Sequence, residues 1–210
     1  MLILFSCSPA NKASVAEKVE AAKEAEAPAV PVTAKDAFWP MYTSARKNWS
    51  TDFVLLRLTS KKIPGFKNEG GKAALWEATF ASPGRQEYRT YSYAIAACKP
   101  DIYKGVVVGR SMPWGGATRD VMPIQISEFN VDSDAAYKTA AADAAAWRAK
   151  HPDKELTTFQ LGNAYQFQTP VWHLMWGDKK SGYVAFVDAT TGKVLKNGAE
   201  AAKANHRAGM

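Results

Sequence analysis

Apolar residues fall at helical spacing in two places along the chain, and in alternation over most of the stretches that follow each of them. Phe38, Met41 and Tyr42 share one face of a segment that Thr33 and Asp36 are spaced to open as a capping box, which predicts a helix over 36–48. Pro40 suits that helix only within its first turn, where the backbone needs no N–H. Tyr137, Ala140, Ala141, Ala144 and Trp147 make a second such face behind the N-cap candidates Asp132, Ser133 and Asp134, and Pro152 stops it. This reads as one amphipathic helix whose alanines let it lie close to a sheet.

Strand patterns follow each helix in a similar order. After the first come 53–58, 76–80 and 88–95, the last two joined by the turn around Pro83 and Gly84, with Val106 to Val108 able to complete the set. After the second come 156–161, a candidate over 163–167, then 170–176 and 182–187, joined by the polar turn 177–181. Asp188 and Gly192 frame a tight turn into a last short strand. Trp76 in the first series corresponds to Trp172 in the second. The shared order predicts an internal duplication of an α+β unit, with boundaries near 36–120 and 121–197.

The composition is that of an ordinary folded protein, 47% hydrophobic and 22% charged over 210 residues. No run of apolar residues reaches the roughly 18 needed to cross a bilayer. Two cysteines and three scattered histidines are too few for a disulfide scaffold or a zinc site, so neither metal nor cofactor is expected. The net charge of +7 arises wholly within residues 36–119, since the segments on either side balance. Its tightest group is Lys61, Lys62, Lys67 and Lys72 in a Gly-containing loop, a candidate surface for an anionic partner. No nucleic-acid motif accompanies these lysines, and no nucleic-acid partner is expected. Trp114, in the turn-rich link between the units, is a second candidate contact residue; the competing reading has it plugging a gap between two sheets.

Leu4-Phe5-Ser6-Cys7 resembles the bacterial lipobox, although the apolar run before it is short. Residues 1–7 then read as the end of a lipoprotein signal with Cys7 as the lipid anchor. Residues 8–35, built almost wholly of Ala, Lys, Glu, Ser, Pro and Val, read as a disordered tether, and 198–210 as a C-terminal tail. The expected address is the bacterial cell envelope, lipid-anchored and facing the periplasm or the exterior.

The second unit resembles the PepSY domain of peptidase propeptides and bacterial envelope proteins. The likeness is carried by Asp132 to Tyr137, by Pro170 to Trp172 and by Val187 to Leu195; residues 36–112 follow in outline, with Ala96 to Asp101 in place of the closing turn. The resemblance implies an α+β fold of two cystatin-like units, each a helix packed on a curved antiparallel sheet. It also implies a non-catalytic role in binding or restraining another envelope protein, a peptidase among the candidates. The alternative is a carrier or sensor holding a small apolar or aromatic ligand between sheet and helix. Catalytic constellations find little footing. Cys98 and His173 would need a third residue to form a thiol hydrolase, and Asp132, Asp134 and Asp188 are accounted for by a helix cap and a turn.

Overall fold

The computed structural model describes residues 29–167 and 169–195; Cys7, the lipobox, the tether up to residue 28 and the tail after 195 lie outside the described residues. The chain forms α1 (Ala34–Asn48), then β1 (Val54–Lys61), β2 (Leu75–Ser82), β3 (Glu87–Ala94), β4 (Gly105–Val108) and β5 (Met112–Pro113). After a single 3-10 turn it forms α2 (Ser133–Asp143), α3 (Ala145–Lys150), β6 (Leu156–Gly162), β7 (Val171–Trp176), β8 (Tyr183–Asp188) and β9 (Val194–Leu195). The fold is α+β. Its strands make one nine-stranded antiparallel sheet in the order β4-β3-β2-β1-β6-β7-β8-β9, with β5 extending the β3 edge beyond β4.

Each helix lies on the same face of this sheet, α1 against β1 to β4 and α2 against β7 to β9. Alternation along the strands explains the shared core. Leu58, Trp76, Phe80 and Tyr91 from the first series and Leu161, Trp172, Leu174 and Val187 from the second all point to the helix side and are almost wholly buried. The other face carries Ser92, Glu77, Thr59, Gln160 and His173 in one row across the strands.

The two helices bury matching positions. Ala34 and Ser133 are 99 positions apart and in direct contact, the Ser133 hydroxyl accepting the Ala34 N–H at 2.8 Å. The same displacement carries the other buried residues of α1, namely Ala37, Phe38, Met41 and Ala45, onto Ala136, Tyr137, Ala140 and Ala144, all of which belong to the same core. Trp76 donates its indole N–H to the Val32 carbonyl at 3.1 Å, and Trp172 donates its own to Val131 at 2.9 Å. In each case the acceptor is the residue just before the helix N-cap. The two indoles meet edge to face, 6.3 Å apart.

Several sequence expectations are corrected. The Thr33–Asp36 capping box is present, but it starts α1 at Ala34 and so puts Pro40 beyond the first turn. Pro40 is exposed, so the Asp36 carbonyl that loses its donor lies where water can replace it. The second helix is two pieces, α2 and α3, meeting at Ala144. Residues 163–167 form a turn in place of a strand, closed by the Phe167 N–H on the Ala164 carbonyl. Since the strands among the described residues form a single sheet, Trp114 plugs no gap between sheets there; it is half-buried at the β3 edge, its backbone N–H donated to Gln86.

Candidate functional site

β1 and β6 are neighbours only through Arg57, Leu58 and Thr59, which pair with Gly162, Leu161 and Gln160. Beyond the Thr59–Gln160 pair the two strands part, and a cleft of about 850 Å3 opens between the end of β1 and the start of β6. One wall is the β1–β2 loop, the other α3 with the chain leading into β6. The loop is held by Gly71, whose φ of +82° suits glycine and whose Cα packs so tightly on α2 that a Cβ would clash with the Ser133 carbonyl oxygen.

Lys61, Lys62, Lys67 and Lys72 all line this cleft, and the fold adds Arg148 and Lys154 from the opposite wall. Two lining carboxylates, Glu69 and Glu155, and two beside the lining, Glu77 and Asp178, pair with four of these six cations, which leaves the rim net positive. Lys61 is paired with Glu77 at 3.1 Å, Lys62 with Glu155 at 2.6 Å and Lys67 with Glu69 at 3.4 Å, while the Lys72 backbone N–H is donated to the Glu69 carbonyl. The Lys62 ammonium holds the Glu155 carboxyl below the usual carboxylate range, chiefly by its hydrogen bond. Lys62 and Glu155 stand on opposite sides of the parted seam, so their ion pair spans the cleft mouth. The pair is solvent-exposed, and such pairs contribute about 0–1 kcal/mol, so an incoming anion can exchange with Glu155.

The floor is aromatic. Phe159 and Trp176 come from the core, Tyr137 from α2 and Phe66 from the loop, and the Arg148 guanidinium rests 5.6 Å over the Trp176 ring. The lysines were visible in the sequence as a charge cluster. Arg148 and Lys154 were not, being far from the lysines in sequence, nor was the aromatic floor, since Tyr137, Phe159 and Trp176 read as helix-face and strand residues. The arrangement can hold an anionic group at its rim and an apolar one at its base.

The structure does not unite the other sequence candidates with this cleft. Trp114 stands by Gln86, at the end of β2 and β3 opposite the Lys61–Leu75 pair, about 25 Å away by strand length. Cys98 lies in the β3–β4 loop and His173 on β7, four strands apart, which separates the pair considered for thiol chemistry. His173 stacks on Phe186 at 4.9 Å, and burial pushes its pKa down. Asp132 and Asp188 bind backbone N–H groups of a helix start and a turn. Among the described residues, no three His, Cys, Asp or Glu side chains group as a metal site, and no helix is long and apolar enough to cross a membrane.

No protein-family model matches the chain, and no curated protein matches it by sequence. Among solved structures it is similar to that of a putative lipoprotein from Clostridium difficile 630, with a TM-score of 0.50 and 11% identity over 80% of this chain and 91% of that one. At that identity the likeness is one of fold.

Proposed function

We propose that this chain is a non-catalytic, lipid-anchored protein of the bacterial cell envelope that binds another protein in the lysine-rimmed cleft. The observation that carries the reading is the convergence of six cations on one aromatic-floored cleft, four of them drawn from the end of β1 and the loop after it, which hold the densest positive charge of the sequence. In this reading the two helix-and-meander units are PepSY-like and cystatin-like, and Cys7 carries the lipid. The Clostridium difficile neighbour is itself described as a putative lipoprotein, which accords with that address.

The test is photo-crosslinking in cells from position 67 or 72 of the full chain, with mass spectrometry of the Cys7 peptide from the same sample. One recurrent envelope protein is expected, lost when the remaining three of Lys61, Lys62, Lys67 and Lys72 are reversed to Glu, together with a diacylglycerol adduct on Cys7. Capture that survives the charge reversal in a variant of unchanged thermal stability would overturn the cleft as the binding site. The aromatic floor also supports a second reading, a small apolar ligand held over Trp176. Native mass spectrometry of the gently purified protein would show that ligand as a discrete added mass.

A further inference from the structure

The cleft has a counterpart in the same molecule, and the counterpart is occupied. Thr59 and Gln160 face each other across the seam, 101 positions apart in sequence, with the Thr59 hydroxyl 3.4 Å from Oε1 of Gln160. Displacement by that same interval superposes local detail on both sides. The bulge at Leu55 to Arg57 in β1 falls on the bulge at Leu156 to Thr158 in β6. The turn closed by Phe66 N–H on the Ile63 carbonyl falls on the one closed by Phe167 N–H on Ala164. The seam therefore has two related ends, one flanked by Leu55 and Asn163, the other by Leu156 and Lys62.

At the first end the link between the units fills the parted seam. Met122 donates its N–H to the Asn163 carbonyl at 3.0 Å and Ile124 donates to the Leu55 carbonyl at 2.7 Å, antiparallel to β1. The Asn163 side-chain amide donates to the Pro123 carbonyl, and Ile124 is 1% exposed. Under this cover Leu55 is wholly buried. At the second end the corresponding Leu156 is only half-buried, and the space beside it is the basic cleft.

We propose that the cleft is a strand-acceptor slot for an extended acidic peptide segment of the partner protein. The segment lies antiparallel to the start of β6, an aliphatic residue covering Leu156 as Ile124 covers Leu55. Its backbone N–H groups donate to the carbonyls of Leu156 and Lys62, repeating the bonds that Ile124 and Met122 make at the other end. The occupant is acidic because the rim is cationic, and one of its carboxylates takes the place of Glu155 on Lys62. This inference rests on the protein-binding reading and adds the backbone conformation and chemistry of what is bound.

The chain supplies its own probe. Residues 120–128, ending in Asp120 and Glu128 around Met122-Pro123-Ile124, are an acidic peptide already known to adopt the required conformation at the filled end. A fluorescent synthetic copy carrying photo-leucine at the Ile124 position is titrated against the full chain. Saturable binding is expected, with crosslinks to Leu156 or to the Lys62 segment. Methylating the peptide nitrogen at that same position should weaken binding about tenfold or more, since one directed N–H bond is lost and a methyl intrudes. Lys61→Glu with Lys62→Glu should weaken it similarly. Affinity unchanged by N-methylation, crosslinks confined to the Leu55 end, or no binding at all would each overturn the slot. In any of these cases, charge-sensitive capture of a cellular partner at positions 67 and 72 would leave the protein-binding reading standing, and its failure as well would remove both.

Discussion

Replacement of Asp132 tests the junction between the two helices. The N-termini of α1 and α2 meet, and each brings unsatisfied N–H groups and about half a positive charge to the same place. Asp132 serves both: its Oδ1 accepts the Ser133 N–H at 2.7 Å and the Lys35 N–H at 3.0 Å. Asp132→Ala removes an N-cap contribution of about 1 kcal/mol at α2. It removes a comparable charge-assisted bond at α1, and leaves two positive helix ends facing each other. The expected loss is about 2–3 kcal/mol, which for a domain of this size lowers Tm by roughly 5–10 °C. Asp132→Asn keeps an acceptor oxygen and loses only the charge, and should cost about 1 kcal/mol. Urea denaturation at neutral pH measures both, and repeating it in high salt should shrink the Asp–Asn difference while leaving most of the Ala loss. If Asp132→Ala shifts stability by less than about 0.5 kcal/mol, or if Asn is as damaging as Ala, the shared-cap reasoning is refuted.

Acid stability should report on Asp52. Hydrogen bonds from Ser50 and Ser82, then from the Gly84 N–H, lower its pKa from 3.8 to about 2. A depressed carboxylate contributes stability that is complete above the unfolded pKa and is lost as pH falls through the folded one. Asp52→Asn should therefore flatten the stability profile between about pH 4 and pH 2; an unchanged slope in acid-unfolding titrations would count against it. Gly71→Ala should destabilise by at least about 1–2 kcal/mol, from left-handed backbone and from the clash with the Ser133 carbonyl. Thermal melts would show it, and a variant as stable as the parent would mean the β1–β2 loop is not pinned to α2.

How far the sequence reaches can be judged from particular elements. Thr33 with Asp36, and Asp132 before its alanines, marked both helix starts because a cap is a local hydrogen-bond pattern readable within a few residues. The two tryptophan strands and the closing turn at Asp188 and Gly192 were readable for the same reason, since alternation and turn chemistry are short-range. The 163–167 segment misled because a short apolar run is ambiguous between strand and turn until its neighbours are known. The lysine cluster showed in the charge pattern, but its partners did not. Glu155, Arg148 and Trp176 lie well away from it in sequence, and Glu77 reaches it only because β2 pairs back on β1.

What the sequence determined by itself is the local structure: two capped helices, the strands that follow each, and the place of the excess positive charge. Tertiary structure decided how these were joined. Whether the two strand series form separate sheets or one depends on β1 pairing with β6 across about a hundred residues, and no local propensity encodes such a contact. The same long-range pairing, limited to three residues on each strand, created the parted seam, placed Ile124 in one end of it and left the basic cleft at the other.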